Sequence, residues 1–413
     1  MPVTSARHVH LALAALVLGG VGIGTTEFIA MGLLPETTSD LGVSIPAGGA
    51  SIAAYALGVV VGAPTLAVAG ARWPRRTLLV SLLVILAIGN ALVALAPNFH
   101  LLVAARALVG LPHGAFFGVA SVAAVDMMPA GMAGRAVSRV MLGIPIANLA
   151  GVPLGTWVGQ QFGWRTTYAG IAVLAVVSAV LVHLVVPQSI PHADGAIRRE
   201  LRALKQPQVW LTLLTGAVGF GGMFAMNSYI APTITEVTKQ PASMVPFVLL
   251  MLGVAGLIGT PIGGRLTDWS VLRTIVIGLV GLAVNLAIFT VTAQWLIPAI
   301  ISVVLCSICA GLLVVSLQMR LMQVAGEARN LGAASNHAAL NIANALGAWL
   351  GGVVLAAGYG YAAPSWVGAG LALGGIAIFA VSLLVHRRAA VPAVAPQEPP
   401  RGPSDMTWER KTR

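Results

Sequence analysis

The chain has 413 residues, of which 58% are hydrophobic and only 8% are charged, and its formal net charge is +11. Soluble domains carry about a quarter charged residues, so this composition excludes a water-soluble globular protein. The basic residues are scattered between apolar segments rather than grouped with stacking aromatic residues, and we therefore expect no nucleic-acid partner.

Apolar segments fill most of the chain, and each is close to the length of about 20 residues that a helix needs to cross about 30 Å of hydrocarbon. The first six are Val9–Leu34, Ala47–Gly70, Thr77–Ala96, His100–Val125, Ala136–Gly159 and Thr166–Val186. The second six are Gln208–Ala231, Pro246–Leu266, Thr274–Ala293, Trp295–Met322, Leu331–Gly358 and Ser365–Val385. We therefore predict an all-α membrane protein of twelve transmembrane helices, the first of them retained and not cleaved as a signal peptide.

The two sets of six segments repeat one another. At one constant shift, Gly22, Gly24 and Pro35 superpose on Gly219, Gly221 and Pro232. Such a repeat predicts two parallel-repeat six-helix bundles with the substrate site between them. We assign residues 1–186 to the first bundle, 187–207 to a central cytoplasmic loop with a short surface helix, 208–386 to the second bundle and 387–413 to a disordered cytoplasmic tail.

The basic residues predict the orientation of the chain, because cytoplasmic loops carry the excess of Lys and Arg. With both termini in the cytoplasm, Arg165 and Lys239 lie outside, Arg106 lies deep within a helix, and the other 20 of the 23 basic residues lie at cytoplasmic positions, in loops or at the cytoplasmic ends of helices.

Glu27 and Arg106 are the two clear ionisable residues deep in predicted helices 1 and 4. A charge near the bilayer centre costs about 2.5–3.5 kcal/mol even on the translocon scale and is seldom kept without a use. Both lie roughly 10 Å below the outer helix ends at 1.5 Å per residue, so the two charges are at matching depth. We predict proton coupling at Glu27 with Arg106 as its modulator; the alternative is a fixed ion pair that joins the two helices.

Neutral polar residues at similar depth are candidates for a substrate cavity. The set is His113, Asn148, Asn227, Tyr229, Asn341 and Asn344. The alternative for His113 is a packing role, and for the amides it is hydrogen bonding between helices. Asn336 and His337 lie nearer the cytoplasmic end of helix 11 and are weaker candidates.

No enzyme, metal or cofactor motif stands out. Cys306 and Cys309 have redox-motif spacing but lie within one apolar segment, and the glycine runs follow no strand that would make them phosphate loops. We therefore expect neither catalysis nor a bound metal or cofactor, with transport driven by the proton gradient.

Three motifs resemble the major facilitator superfamily, and specifically its twelve-helix drug:proton antiporter group with arabinose-efflux-permease-like members. The segment from Gly24 to Pro35 is similar to the helix 1 signature of that group, and Arg106 with His113-Gly114 is similar to its helix 4 motif. A set of small residues and prolines resembles the helix 5 antiporter motif: Gly143, Pro145, Gly151, Pro153 and Gly155. The resemblance implies efflux by alternating access. We also expect a bacterial inner-membrane location and, because one chain holds both halves of the cavity, function as a monomer.

The loop between helices 2 and 3 departs from the superfamily pattern, because Ala71 replaces the usual Asp and Pro74 the usual Gly. We still predict a cytoplasmic conformational gate. Its members are Arg72, Arg75, Arg76, Asp126, Asp268 and Arg273.

These observations predict a proton-coupled exporter of a small solute such as a sugar, drug or nucleoside, with protons and membrane lipid as its other partners. One alternative is a facilitator or proton-symport importer. The alternative from another class is a receptor or scaffold that does not transport.

Overall fold

The computed structural model describes residues 6–188 and 196–390, and these contain twelve helices long and apolar enough to cross a membrane. Numbered in chain order, helices 1 to 12 span Arg7–Gly32, Ala47–Arg72, Arg75–Ala94, Phe99–Met127, Ala133–Phe162, Trp164–Val185, Pro207–Asn227, Val245–Trp269, Val271–Thr292, Leu296–Val324, Arg329–Ala356 and Ala363–His386. Each overlaps its predicted segment, and the described ranges contain no strand. The prediction of an all-α membrane protein with twelve helices is confirmed.

The helix ends differ from the sequence expectation at two places. The last helix continues to Ala390, so residues 387–390 are helical and do not belong to a disordered tail; residues 391–413 lie outside the described residues. Helix 7 ends at Asn227 rather than Ala231. Pro232 has no N–H for the carbonyl of Ser228, and this weakens a continuous helix at that point.

Each set of six helices has its own buried apolar core. Phe116, Phe117 and Leu83 belong to the first core, and Leu286 and Phe289 belong to the second. A smaller buried cluster that includes Ala67 of helix 2, Val209 of helix 7 and Leu331 of helix 11 joins the halves near the chain termini. The contacts between halves are therefore concentrated at one end of the bundle.

Three membrane helices are interrupted at mid-depth. Helix 4 breaks at Leu111, directly before Pro112, and helix 7 breaks at Phe220 between two glycines. Helix 5 contains a π-helical turn over Ala147–Gly151, followed by Pro153. Proline removes a backbone donor, and π turns make room for the altered hydrogen bonding. The breaks place irregular backbone at the depth where the two halves face each other.

Glycines let the halves approach closely at the end of the bundle that carries the termini. A side chain on Gly118 of helix 4 would lie 2.8 Å from the Cα of Ala334 in helix 11. One on Gly134 of helix 5 would lie 2.9 Å from the Cβ of Thr267 in helix 8. Small residues allow close helix packing in lipid, so these positions seal this end.

Acidic residues at the ends of helices 4 and 8 reinforce the seal. Asp126 pairs with Arg75 of its own half and with Arg329 of the other half, the latter at 3.1 Å. Asp268 accepts a hydrogen bond from the backbone N–H of Gly134 at 2.6 Å and forms an ion pair with Arg135 at 3.1 Å, both across the interface. Asp126 is 39% exposed and Asp268 only 7%. Each half thus supplies one acid that pairs with an arginine of the other half. The acid of the first half is partly exposed, and the acid of the second half is buried.

The central loop contributes a third link at the same end. It forms the predicted short helix, Ala196–Ala203, which confirms that expectation. The buried carboxylate of Glu200 accepts a hydrogen bond from the N–H of Leu331, in the first turn of helix 11. An acid at a helix N-terminus is stabilised by the helix dipole, so the loop helps to hold helix 11 in place.

At the opposite end, a short helix over Leu34–Asp40 ties helix 1 to helix 6. Asp40 pairs with Arg165 and accepts a hydrogen bond from the indole N–H of Trp164 at 3.1 Å. These two donors lower the pKa of Asp40 below its ordinary value, since they favour its charged form. This tie stays within the first half and leaves the two halves free to separate here.

Overpacking the sealed end should open it. Gly118→Val places a side chain against the backbone of Ala334, and overpacking of a tight interface costs about 1–3 kcal/mol. We expect a cysteine at Ser121, in a background with Cys306 and Cys309 replaced by Ala, to react at least about fivefold faster with an impermeant maleimide added to inside-out vesicles. The control is Gly370→Val, where a side chain would meet nothing within 4 Å. Equal rates in both variants would contradict the close contact.

Asp126 and Asp268 should differ in how strongly they stabilise the sealed end. Removing a buried acceptor costs about 1–3 kcal/mol, whereas exposed ion pairs contribute about 0–1 kcal/mol. We expect Asp268→Ala to raise the labelling rate of the same Ser121→Cys reporter more than Asp126→Ala does. An equal or reversed order would show that burial does not set the strength of the seal.

Candidate functional site

A cavity of about 590 Å³ lies between the two halves. Helices 1, 4 and 5 of the first half and helices 7, 8, 10 and 11 of the second half line it. Most of the wall is apolar, and Phe28, Met31, Met223, Phe224 and Leu252 are typical members. A mainly apolar wall with a few polar groups is typical of small-molecule sites.

The cavity reaches from mid-depth to the end of the bundle opposite the termini. Met31 and Gly32 at the end of helix 1, and Ser228 beyond helix 7, line its outer part. Met31 is 49% exposed, so solvent reaches this part of the cavity. Met141, His113 and His337 line its inner part, and beyond them the glycine contacts and the acids close the path.

Glu27 supplies the one carboxylate among the described residues that line the cavity. Its side chain is 13% exposed, and its Oε2 lies 3.8 Å from the Nδ1 of His113. A carboxylate in a mainly apolar wall is poorly solvated when charged, and protonation removes that cost. The position therefore suits reversible protonation from the cavity.

Arg106 lies next to Glu27, yet it contacts the backbone rather than the carboxylate. It donates to the carbonyl oxygens of Thr26 at 2.7 Å, Ser51 at 3.3 Å and Glu27 at 3.5 Å, and its guanidinium lies 4.6 Å from the ring centre of Tyr55. No ion pair within 4 Å joins the two side chains in this part of the described chain. The fixed ion pair that the sequence left open is therefore not formed here, although the guanidinium of Arg106 lies near Glu27.

His113 connects the two halves at the floor of the cavity. Its Nδ1 shares a hydrogen bond of 2.9 Å with the hydroxyl of Tyr55, and its Nε2 lies 3.1 Å from the Nδ1 of His337 in helix 11. Phe117 stacks on the ring of His337, with ring centres 4.6 Å apart. Both histidines are at most 2% exposed. The weaker candidate His337 thus lies directly beside the stronger one.

The predicted amides have different surroundings. Those that line the cavity are Asn148, Asn227, Asn341 and Asn344. The buried amide oxygen of Asn227 has no hydrogen-bond partner, whereas Asn341 donates to the carbonyl of His337 at 3.0 Å.

The structure corrects the expectation for Tyr229, which is not among the cavity-lining residues. Its hydroxyl donates to the carbonyl of Ala348 at 2.7 Å, and its ring packs on Gly351. It joins helices 7 and 11 within the second half. Asn336 also lies away from the lining, with both amide atoms buried and unpartnered.

The predicted antiporter motif forms the part of helix 5 that packs on helix 1. A side chain on Gly143 would meet the backbone of Gly20 at 2.7 Å, and one on Gly155 would meet Ile29 at 3.0 Å. Gly151 faces Thr25 in the same way, while Pro145 lines the cavity. The motif thus combines close packing on one face with irregular backbone at the cavity.

The predicted gate residues are only partly together. Arg75, Asp126 and Asp268 lie in the seal, whereas Arg76 donates to Gln188 at 2.9 Å, Arg273 stacks on Trp269 and Arg72 is exposed. The sequence reasoning missed Arg135 and Arg329, the partners that cross the interface. Both arginines lie in the first turn of a membrane helix, at the same end as Asp126 and Asp268, and this position could have indicated them as partners.

Tyr55 was also missed, because a tyrosine in an apolar segment is compatible with the core. Its hydroxyl bond to His113 could be inferred only from the packing of helix 2 on helix 4. Among the described residues, no group of three or more His, Cys, Asp or Glu side chains is arranged to hold a metal ion.

Comparison with known proteins identifies the family to which this twelve-helix chain belongs. A profile described as the Major Facilitator Superfamily matches residues 16–330. The chain is 39% identical over 387 residues to the inner membrane transport protein YdhP of Escherichia coli K12, which covers 94% of this chain and 99% of that protein. It is 34% identical to a chloramphenicol resistance protein of Streptomyces lividans over 62% of this chain and 67% of that protein.

A solved structure shares the fold. The superfamily transporter FucP, in the outward conformation, superposes with a TM-score of 0.74 at 15% identity and covers 92% of this chain and 99% of its own. The profile, the relatives and the twelve-helix architecture together show that the chain is a membrane transport protein of the Major Facilitator Superfamily.

Proposed function

We propose that this protein is a proton-coupled exporter that works by alternating access of its two halves. The observation that carries the proposal is the carboxyl of Glu27, on the wall of a mainly apolar cavity between the halves, with the charge of Arg106 beside it. An ionisable group inside the membrane points to a functional site.

Coupling follows from the charge of Glu27. Closing the cavity around an ionised carboxylate removes it from water, and a buried charge that is neither paired nor neutralised is costly. A proton or a bound substrate with a complementary group lowers this cost. If a proton or a substrate can occupy the site, but not both together, the protein changes conformation with only one of them bound. Protons and substrate then cross the membrane in opposite directions.

The wall favours an amphiphilic substrate over a sugar. Apolar side chains and methionines surround a few amides, and sugars need many hydrogen-bond partners. The unpartnered oxygen of Asn227 would accept a hydrogen bond from a substrate donor, and Glu27 would attract a positive group. We therefore infer a compound with an apolar body and a cationic or hydrogen-bond-donating group.

Export is supported by the resistance function in the name of the Streptomyces relative and by the helix 5 motif. The inward proton gradient supplies about 2.3 kcal/mol per charge for each 100 mV, which is enough to maintain an outward substrate gradient. The name of the E. coli relative supports the bacterial inner membrane as its location. With both termini cytoplasmic, the cavity described here faces outward, and one chain forms the whole pathway.

The first experiment measures proton release from acidified inside-out vesicles with a pH dye. Tetraphenylphosphonium, chloramphenicol and arabinose are added in turn to vesicles with the wild type, with Glu27→Gln or with Glu236→Gln. The last variant is the matched control, because Glu236 is exposed and lies outside the cavity. We expect one amphiphile to release protons from wild-type and control vesicles, and at least about tenfold less from Glu27→Gln vesicles.

Other outcomes separate the alternatives. Proton uptake on substrate addition would indicate a symporter, and substrate flux without proton movement would indicate a facilitator. Binding without flux would favour a receptor or scaffold. Equal proton release by Glu27→Gln would show that this carboxyl does not carry the proton.

A further inference from the structure

The floor of the cavity holds a continuous series of polar contacts that passes from one half to the other. Glu27 Oε2 lies 3.8 Å from His113 Nδ1, and His113 Nε2 lies 3.1 Å from His337 Nδ1. The Tyr55 hydroxyl shares the Nδ1 of His113 at 2.9 Å. The His113–His337 contact is therefore a direct hydrogen bond between side chains of opposite halves.

The protonation of this series is constrained by its geometry. Between two neutral imidazoles, one ring nitrogen donates and the other accepts. If the Tyr55 hydroxyl donates to His113 Nδ1, then His113 Nε2 carries the hydrogen that is donated to His337 Nδ1. The reverse arrangement fits the same heavy-atom positions. Two arrangements that differ only in hydrogen positions are what a proton relay requires.

We propose that His113 and His337 form a relay that carries the coupled proton from Glu27 across the interface between the halves. The proposal rests on the proton-coupled function proposed above. The Glu27 carboxyl O–H bond breaks as its proton binds His113 Nδ1, while the Nε2–H bond of His113 breaks as that proton binds His337 Nδ1. Glu27 becomes a carboxylate, His113 is again neutral in its other tautomer, and His337 becomes an imidazolium. The first transfer needs a small rotation of the carboxyl or one bridging water.

The groups around the series determine where the proton can rest. Glu27 from helix 1, Tyr55 from helix 2 and Arg106 from helix 4 are the ionisable groups around His113, and helices 5, 7, 8 and 10 add none to the lining. The ring of His113 is almost fully buried, and burial disfavours a lasting imidazolium there. His337 is one ring farther along the series, but its Nε2 is buried without a partner, so an imidazolium there is also costly until water reaches it.

The location of the hydrogen bond would make the transfer directional. Glu27 and His113 belong to the first half and His337 to the second, and the glycine seal lies directly beyond them. Opening the sealed end separates the two histidines and leaves the transferred proton on the second half. Water entering from the cytoplasm would then remove the proton from His337 and allow His113 to exchange its tautomer.

The test replaces each histidine with glutamine, which can keep a hydrogen bond but cannot carry a proton. His113→Gln, His337→Gln and the control His183→Gln, at an exposed position of helix 6, are reconstituted with Glu27→Gln and the wild type. Proton release is measured with tetraphenylphosphonium, chloramphenicol and arabinose. Exchange of each labelled compound across the membrane without a proton gradient is measured in the same vesicles.

We expect His113→Gln and His337→Gln each to lower the ratio of proton release to exchange at least about tenfold, because both rings also line the cavity and exchange itself can fall, and we expect His183→Gln to change neither. If one variant does not accumulate, the other carries the same expectation, since either breaks the relay. Wild-type release from the His337→Gln protein would overturn the relay while leaving the proposed function intact. Loss of exchange together with proton release in both variants would also overturn it, because the rings would then be structural. Failure of the wild type itself to release protons would overturn both proposals.

Discussion

The solvation of Arg106 is the constraint on which the rest of the site depends. A guanidinium in the membrane cannot be left without acceptors, and this one takes backbone carbonyls from helices 1 and 2 while its ring contact with Tyr55 covers one face. These contacts hold helices 1, 2 and 4 in a fixed arrangement. Because the carbonyls satisfy the guanidinium, the carboxyl of Glu27 stays available to the cavity. A direct ion pair would have used that carboxyl.

The interface between the halves combines two kinds of surface. Toward the termini it is made of glycine, alanine and short-range ionic contacts, and it is close enough that a single methyl group would clash at several positions. Toward the other end it is an apolar cavity with solvent access. Packed interfaces shift between discrete arrangements rather than deforming continuously, so a tight face beside an open one is the form expected of an alternating-access carrier.

The sequence predicted the fold well, because hydropathy and segment length determine membrane helices almost independently of tertiary structure. It also singled out Glu27, which lies on the cavity wall, and Arg106, which lies beside it, since charges in apolar segments are conspicuous; their role in proton coupling stays a prediction. It did not predict that Arg106 would bind backbone carbonyls or that His337 would touch His113. Such contacts depend on how helices far apart in the chain pack and rotate, and no spacing within a segment specifies that.

The same reason explains the remaining errors. Tyr229 lies at the depth of the cavity, but its hydroxyl faces helix 11 of its own half. Depth could be read from position along a segment, whereas facing direction could not. Asp126 and Asp268 were recognisable as helix-terminal acids, yet their partners Arg329 and Arg135 belong to the opposite half.

The π-helical turn of helix 5 determines where this helix can lose a residue without disturbing its packing. The turn over Ala147–Gly151 holds one residue more than an α-helical turn would. Deleting one residue there would restore a regular helix. A deletion elsewhere in helix 5 would rotate every later side chain by about 100° relative to its neighbours. Single-residue deletions within this membrane helix should therefore be tolerated at the π turn before they are tolerated elsewhere in the helix.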